Sequence, residues 1–331
     1  FSVGIYLMSN LTDLISAGGG GGSSFPTMVF QQSQTWACPS EMEAIVFVIG
    51  AGGSGAFNKS ANSSSSCAGG GGGGCVVSKL TLSAQNYTLT IGSGGQYVST
   101  ASGVNGNAGG SSVMSGSGMT TMTAGGGTGG KVNSASTATA GGSASGGTLM
   151  NNVGGGVVTQ ANGQFTASGG GGVSLWGGNA DGVWKTSSAH AQVAPGGSPI
   201  GTAGIWSALT DYSGLTTQTF YANQPVEVNP FPTINFHQQL ATGSWYRNST
   251  NSTGHTGFMY NINTDYNAVG NSPFTGGGGA SGGTGGAYFR GAAGIAGGGG
   301  GGVNTNASPA GGLSGAGGAG LIIICPISMG A

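Results

Sequence analysis

Glycine fills 77 of the 331 positions and gathers into runs, such as residues 69–74, 276–279 and 297–302. Short β-type segments lie between the runs, among them Ile45-Val46-Phe47-Val48-Ile49 and Leu321-Ile322-Ile323-Ile324. Each ordered glycine loses more backbone freedom than any other residue and adds no side chain to a core. Such a chain stays disordered unless backbone hydrogen bonding or close backbone approach compensates. Two features argue for order: 37% of residues are hydrophobic and only 4% are charged, so self-repulsion is absent. Collagen is excluded because the glycines cluster instead of falling at every third position. The fold class that remains is all-β. It combines glycine-rich short strands and turns with extended three-fold segments of the polyglycine-II type and an aromatic-rich insertion.

Six Lys/Arg and seven Asp/Glu leave a net charge of −1. A basic footprint for nucleic acid is missing, as is a polybasic patch for anionic membranes. No segment reaches the roughly 18 consecutive apolar residues of a membrane-spanning helix. A soluble monomer carries charge on about a quarter of its residues, and a nearly uncharged surface favours association. The expected partners are therefore further copies of the chain, in a homo-oligomer or filament, with no nucleic acid and no membrane insertion. The chain begins at Phe1 without Met, as a processed product or a fragment would, and an extracellular or virion-surface location is expected.

Four cysteines are present, and none has the paired spacing of a zinc site. Cys67 and Cys75 flank a glycine run, while Cys38 and Cys325 lie near the two ends. Their even number reads as two disulfides, Cys67 with Cys75 and Cys38 with Cys325, and an oxidising compartment. Four free core thiols are the alternative. Asn-x-Ser/Thr sequons stand at Asn10, Asn58, Asn62, Asn86, Asn248, Asn251 and Asn306, candidate glycosylation sites in a secretory pathway.

Composition divides the chain into four parts. Residues 1–24 form an apolar arm and a glycine linker; the arm can fold back or add to a neighbouring subunit. Residues 25–175 are the first part of a glycine-rich β domain, and 271–331 its closing part. Between them, 176–270 hold four of the five tryptophans and all three histidines. That stretch can build a side-chain core, and Trp176, Trp184, Trp206, Trp245 and Tyr246 are its candidate contacts to a glycan or receptor, since exposed aromatic rings stack on sugars and anchor interfaces. The alternative is that these rings fill the insertion's own core.

Two phosphate-loop patterns are by-products of glycine content. Gly50-Ala51-Gly52-Gly53-Ser54-Gly55 follows a strand as a dinucleotide fingerprint would, but no acid lies between Glu43 and Asp181. Residues 125–131 end in Gly-Lys, and Val132 stands where a magnesium-holding hydroxyl is needed. No cofactor is expected. The acids Asp181, Asp211, Glu227 and Asp265 share no local motif, and His190, His237 and His255 lack helical i, i+4 partners, so no catalytic residue is assigned.

The order of the pieces is more specific than any one of them. Gln34-Thr35-Trp36-Ala37-Cys38-Pro39 precedes an apolar strand and glycine run at 44–55. A longer run and strand follow at 69–82, then Asn86-Tyr87-Thr88-Leu89-Thr90-Ile91-Gly92 and the Gly-Gly-Ser-Ser of 109–112. Gly318-Ala319-Gly320 leads into the closing aliphatic strand. This order resembles the glycine-rich domain near the ends of bacteriophage tail-fibre proteins. The resemblance implies that first and last strands pair, bringing Cys38 near Cys325, and it carries no catalytic residues. The insertion and the four cysteines depart from that pattern. The expected role is a non-enzymatic structural subunit of an extracellular fibre or virion appendage, assembling through its arm and low-charge faces. The alternative is a receptor- or glycan-binding adhesin at a fibre tip.

Overall fold

A computed structural model describes residues 27–59, 66–98, 103–132, 139–157, 170–174 and 314–329, together with short strands at 166–167, 193–194, 217–221, 242–246, 279–282 and 302–304. The secondary structure among the described residues is all β. The first strands are β1 (Met28–Phe30), β2 (Gln34–Ala37), β3 (Met42–Ile49), β4 (Phe57–Lys59), β5 (Ser66–Cys67) and β6 (Cys75–Leu82). Next come β7 (Asn86–Thr90), β8 (Ser112–Ser115), β9 (Met122–Ala124), β10 (Ala144–Ser145), β11 (Met150–Asn152) and β12 (Thr166–Ala167). The chain closes with β13 (Val193–Ala194), β14 (Thr217–Tyr221), β15 (Thr242–Tyr246), β16 (Gly279–Gly282), β17 (Gly302–Asn304) and β18 (Leu321–Met329).

Ten of these strands make two five-stranded sheets, β1-β18-β3-β6-β11 and β10-β9-β8-β7-β2, every pair antiparallel. The sheets face each other. From the first come Phe30, Val46, Val48, Leu82, Ile322 and Ile324, and from the second Tyr87, Leu89, Met114 and Met122, all buried in one core. Alternate residues point to opposite sides of a strand, so the inward set runs through β3 as Met42, Ala44, Val46 and Val48. Phe30, Trp36 and Tyr87 stack in a tilted series, with ring centroids 5.9 and 5.7 Å apart. The first and last strands do pair, Met28 opposite Ile324 and Phe30 opposite Ile322.

Beyond one end of this sandwich the chain stops forming sheets and forms a lattice of extended glycine segments. Residues 50–57 are its centre. The N–H groups of Gly50, Gly53 and Ala56 donate to the carbonyls of Gly74, Gly71 and Ala68. Those of Ala51, Ser54 and Phe57 donate to Gly110, Asn107 and Val104, and those of Gly52 and Gly55 to Gly318 and Gly315. Every third donor meets the same neighbour, and the acceptor number falls by three at each step. That is the signature of a three-residue turn with antiparallel neighbours on three sides. An extended three-fold helix has no internal hydrogen bonds, so all of its backbone groups are available for lateral bonding. The same step recurs where Ala68, Gly71 and Gly74 donate to Lys131, Thr128 and Gly125.

Glycine is required here for its missing Cβ, not for unusual dihedrals. Among the described residues positive φ occurs only at Gly118 (72°) and Gly146 (86°), both outside the lattice. A Cβ on Gly53 would overlap the Thr128 carbonyl, one on Gly71 the Ala140 carbonyl, and one on Gly127 the Gly71 carbonyl. Backbone is on the other side of each contact, and backbone cannot rotate away. Gly127→Ala is therefore expected to destabilise the fold by about 3 kcal/mol or more, as overpacking against rigid atoms does. Gly118→Ala, where nothing lies within 4 Å of the new atom, is expected to cost only about 1–2 kcal/mol for its left-handed backbone. Denaturant unfolding of the two variants checks the difference, and equal losses would contradict a Cβ-excluding lattice.

Candidate functional site

The lattice has two unlike ends. At one, each segment continues directly into a sandwich strand: 49 into 50, 74 into 75, 124 into 125, 143 into 144 and 320 into 321. At the other, Phe57 bridges Val104, Cys67 bridges Val132, and Thr139 bridges Val157. Val98 and Ser314 meet there as well, through Ser314 N–H to the Val98 carbonyl at 3.1 Å and Val98 N–H to the Ser314 hydroxyl at 3.0 Å. The described residues Phe57, Cys67, Val98, Val104, Val132, Thr139 and Val157 thus all stand at this far end. Here β4 pairs with β17, which pairs with β16 and then β13, and β5 pairs with β12. One strand of the aromatic-rich insertion, β13, and two of the closing part, β16 and β17, therefore join the sheet that starts at Phe57, whereas β14 and β15 pair with each other in a separate sheet.

The lattice interior offers little chemistry. All eight N–H groups from Gly50 to Phe57 are occupied by neighbouring carbonyls, so the dinucleotide-like run presents no free donor to a phosphate. In the second phosphate-loop pattern, Gly125, Gly127, Thr128 and Gly130 donate to Ser143, Ala51, Ala140 and Ser54. Buried hydroxyls serve the lattice as well: Ser54 accepts from the Asn107 N–H at 2.8 Å, and Thr139 donates to the Gly69 carbonyl at 2.9 Å. Of the seven acids in the chain, the described residues include Glu41 and Glu43. Lys79 pairs with Glu43 at 2.8 Å on the sheet surface, an exposed bridge worth about 0–1 kcal/mol. The acids Asp181, Asp211, Glu227 and Asp265 and the three histidines lie outside the described residues.

The two expected disulfides do not form: all four cysteines are free thiols. Cys67 and Cys75 are held apart because residues 68–74 between them are extended, not turned. At about 3.1 Å per residue the span is about 25 Å, against the roughly 6 Å between Cα atoms that a disulfide needs. Cys67 packs with Ala56 and Val132 at the far end, and Cys75 with Phe47 and Val77 at the sandwich end. Cys38 belongs to the core between the sheets, whereas Cys325 faces the opposite side of its sheet, beside Ile323 and Ile45. The pairing of β1 with β18 does not bring Cys38 to Cys325, because Cys38 follows β2, in the other sheet.

Burial raises all four thiol pKa values. Cys75 is pushed from 9.0 up to about 12, Cys67 is driven up by desolvation alone, and in Cys38 and Cys325 burial outweighs the lowering effect of hydrogen bonding with Ser40 and Thr27. A thiol whose folded pKa is raised stabilises the fold fully below its unfolded pKa, and that contribution fades as pH climbs toward the folded value. Unfolding free energy should therefore fall above about pH 9, by about 1.4 kcal/mol per pH unit for each of the fully buried Cys67 and Cys75. Cys75→Ala should shallow that slope in denaturant melts between pH 8.5 and 11. An unchanged slope would mean Cys75 is not desolvated as described.

The sequons and aromatic candidates fall in different settings. Asn58 is 3% exposed within β4, a site no oligosaccharide can occupy in the folded chain, while Asn86 is exposed on β7. In a glycosylating host Asn86 is expected to be modified and Asn58 left bare after folding, as peptide mass mapping would show; a glycan on Asn58 of the folded chain would contradict its burial. Asn10, Asn62, Asn248, Asn251 and Asn306 lie outside the described residues, as do Trp176, Trp184 and Trp206. Trp245 and Tyr246 sit on β15, opposite Gln218 and Thr217 of β14.

No described helix is long and apolar enough to cross a membrane. Comparison with curated proteins gave no match. Residues 27–325 match the family described as a glycine-rich domain, and the span includes the sandwich strands, the lattice and the insertion alike; the chain belongs to that glycine-rich domain family.

Proposed function

We propose that this chain is a non-enzymatic structural component of an extracellular fibre or virion appendage, in keeping with its resemblance to the glycine-rich domains of phage tail fibres. The observation that carries the reading is the period-three hydrogen bonding of 50–57 to three antiparallel neighbours. A body built this way is stiff along its segments, excludes side chains from its interior and has no room for a catalytic centre there. Its near absence of charge suits burial against further copies.

A second reading, an adhesin at a fibre tip, is favoured by the polarity of the molecule. β1 enters, and β18 ends, in the sandwich, with Met329 opposite Met42 at the pole away from the lattice. One strand of the insertion, β13, joins the sheet at the other pole, where the lattice contacts end. Attachment by the terminal segments would leave that pole outward, toward a glycan or receptor. Immunogold electron microscopy of native particles separates the readings. Label along the length of regular filaments supports the structural subunit, and a few grains at fibre tips support the adhesin. Label confined to a soluble fraction, with no fibre or particle, would overturn both.

A further inference from the structure

The first sheet is apolar on both sides, although among the described residues its second side meets no second sheet. Across all five strands one outward row reads Val29, Ile323, Phe47, Val77 and Met150, each directly opposite the next. The next row toward the pole runs Cys325, Ile45 and Lys79, with the charge on the strand farthest from Cys325. A water-facing side of an antiparallel sheet alternates to polar residues, and this one does so only at its corner. Val173, from the lattice, packs on Phe47, Ile49, Cys75 and Val77 and closes the upper half. The lower half, at Val29, Ile45, Ile323 and Cys325, stays half-buried, and Ile327 beside it is 47% exposed.

We propose that residues 1–17 of the same chain seat on this lower half and complete a third layer. Ten of those seventeen residues are apolar and Asp13 is the lone charge, with Val3, Ile5 and Leu7 in strand-like alternation. The arm joins the fold at the edge of the face itself: Thr27, which opens β1, hydrogen-bonds the Cys325 side chain. The residues between 17 and 27 reach about 30 Å when extended, enough to double back over three strands. So short a tether holds the arm at an effective concentration in the millimolar range, which favours its own face over a neighbour's. A seated arm is withdrawn from contacts between copies, so any assembly of the kind proposed above then falls to the low-charge faces.

Cys325 reports on the seat. In the full chain, maleimide labelling followed cysteine by cysteine by mass spectrometry should find Cys325 slow. With Leu7→Asp and Leu11→Asp in the arm, Cys325 should label about tenfold faster or more, because a carboxylate is expelled from an apolar seat. Cys67 and Cys75, both fully buried, should stay protected and so show that the fold is intact. An unchanged Cys325 rate with Cys67 and Cys75 protected overturns the proposal. So does a Cys325 protection that grows with chain concentration, which would place another copy's arm on the face. If the variant loses its fold and exposes Cys67 and Cys75, hydrogen exchange on the unaltered chain decides: protected amides between residues 3 and 15 support the seat, and freely exchanging ones overturn it.

Discussion

Lateral backbone hydrogen bonding at every third residue is the constraint on which the other features depend. A three-fold extended segment makes no hydrogen bond to itself, so one glycine run alone gains nothing by ordering. It becomes stable only when neighbours on several sides take its donors and acceptors together. Each such bond is worth about 0.5–1.5 kcal/mol net, and each unsatisfied buried group costs more than that. The eight consecutive donors of residues 50–57, all satisfied by three neighbours, show how complete the pairing has to be. The close approach that makes these bonds also sets the residue type, since a Cβ on Gly53, Gly71 or Gly127 would collide with a carbonyl.

The lattice has no register of its own, because one glycine is like the next and a slip of three residues restores the pattern. The sandwich supplies that register. β3, β6, β9 and β18 each run without interruption into or out of a lattice segment, and their side chains interlock in one hydrophobic core. Tyr87, Leu89, Met114 and Met122 against Val46, Val48, Ile322 and Ile324 admit one alignment, because a shift by one residue would turn every core side chain outward. The alignment is then transmitted along the segments. The two halves of the domain divide the work: apolar burial fixes the register, and backbone pairing extends it where side chains have no room.

This division explains what could be read in the sequence. The strands were legible, because Ile45–Ile49, Tyr87–Ile91 and Leu321–Ile324 carry β-forming residues in strand patterns, and the pairing of first and last strands followed from the family resemblance. The neighbour relations of the glycine segments were not, since period-three contacts between glycines leave no trace in residue type. The same blindness produced the errors. Cys67 and Cys75 bracket seven residues that resemble a turn closed by a disulfide, but those residues are fully extended. Cys38 and Cys325 come from the ends that pair, yet Cys325 is an odd-numbered residue in a strand whose even-numbered neighbours, Ile322 and Ile324, face the core with Cys38. Asn58 has the local signature of a surface sequon but continues a lattice segment into buried β4.

A lattice that excludes side chains also determines where chemistry can reside. Recognition and catalysis need several converging side chains, and the lattice interior offers only hydroxyls already bonded to its own backbone, such as Ser54 and Thr139. Functional groups are confined to the two poles and the outer sheet faces. The sandwich pole holds strands whose alternation is already committed to a core. At the far pole the carbonyl contacts that hold neighbouring segments end, at Phe57, Val104, Val132 and Val157. A fold of this kind separates a lattice in which almost no added side chain is tolerated from the ends at which those carbonyl contacts stop.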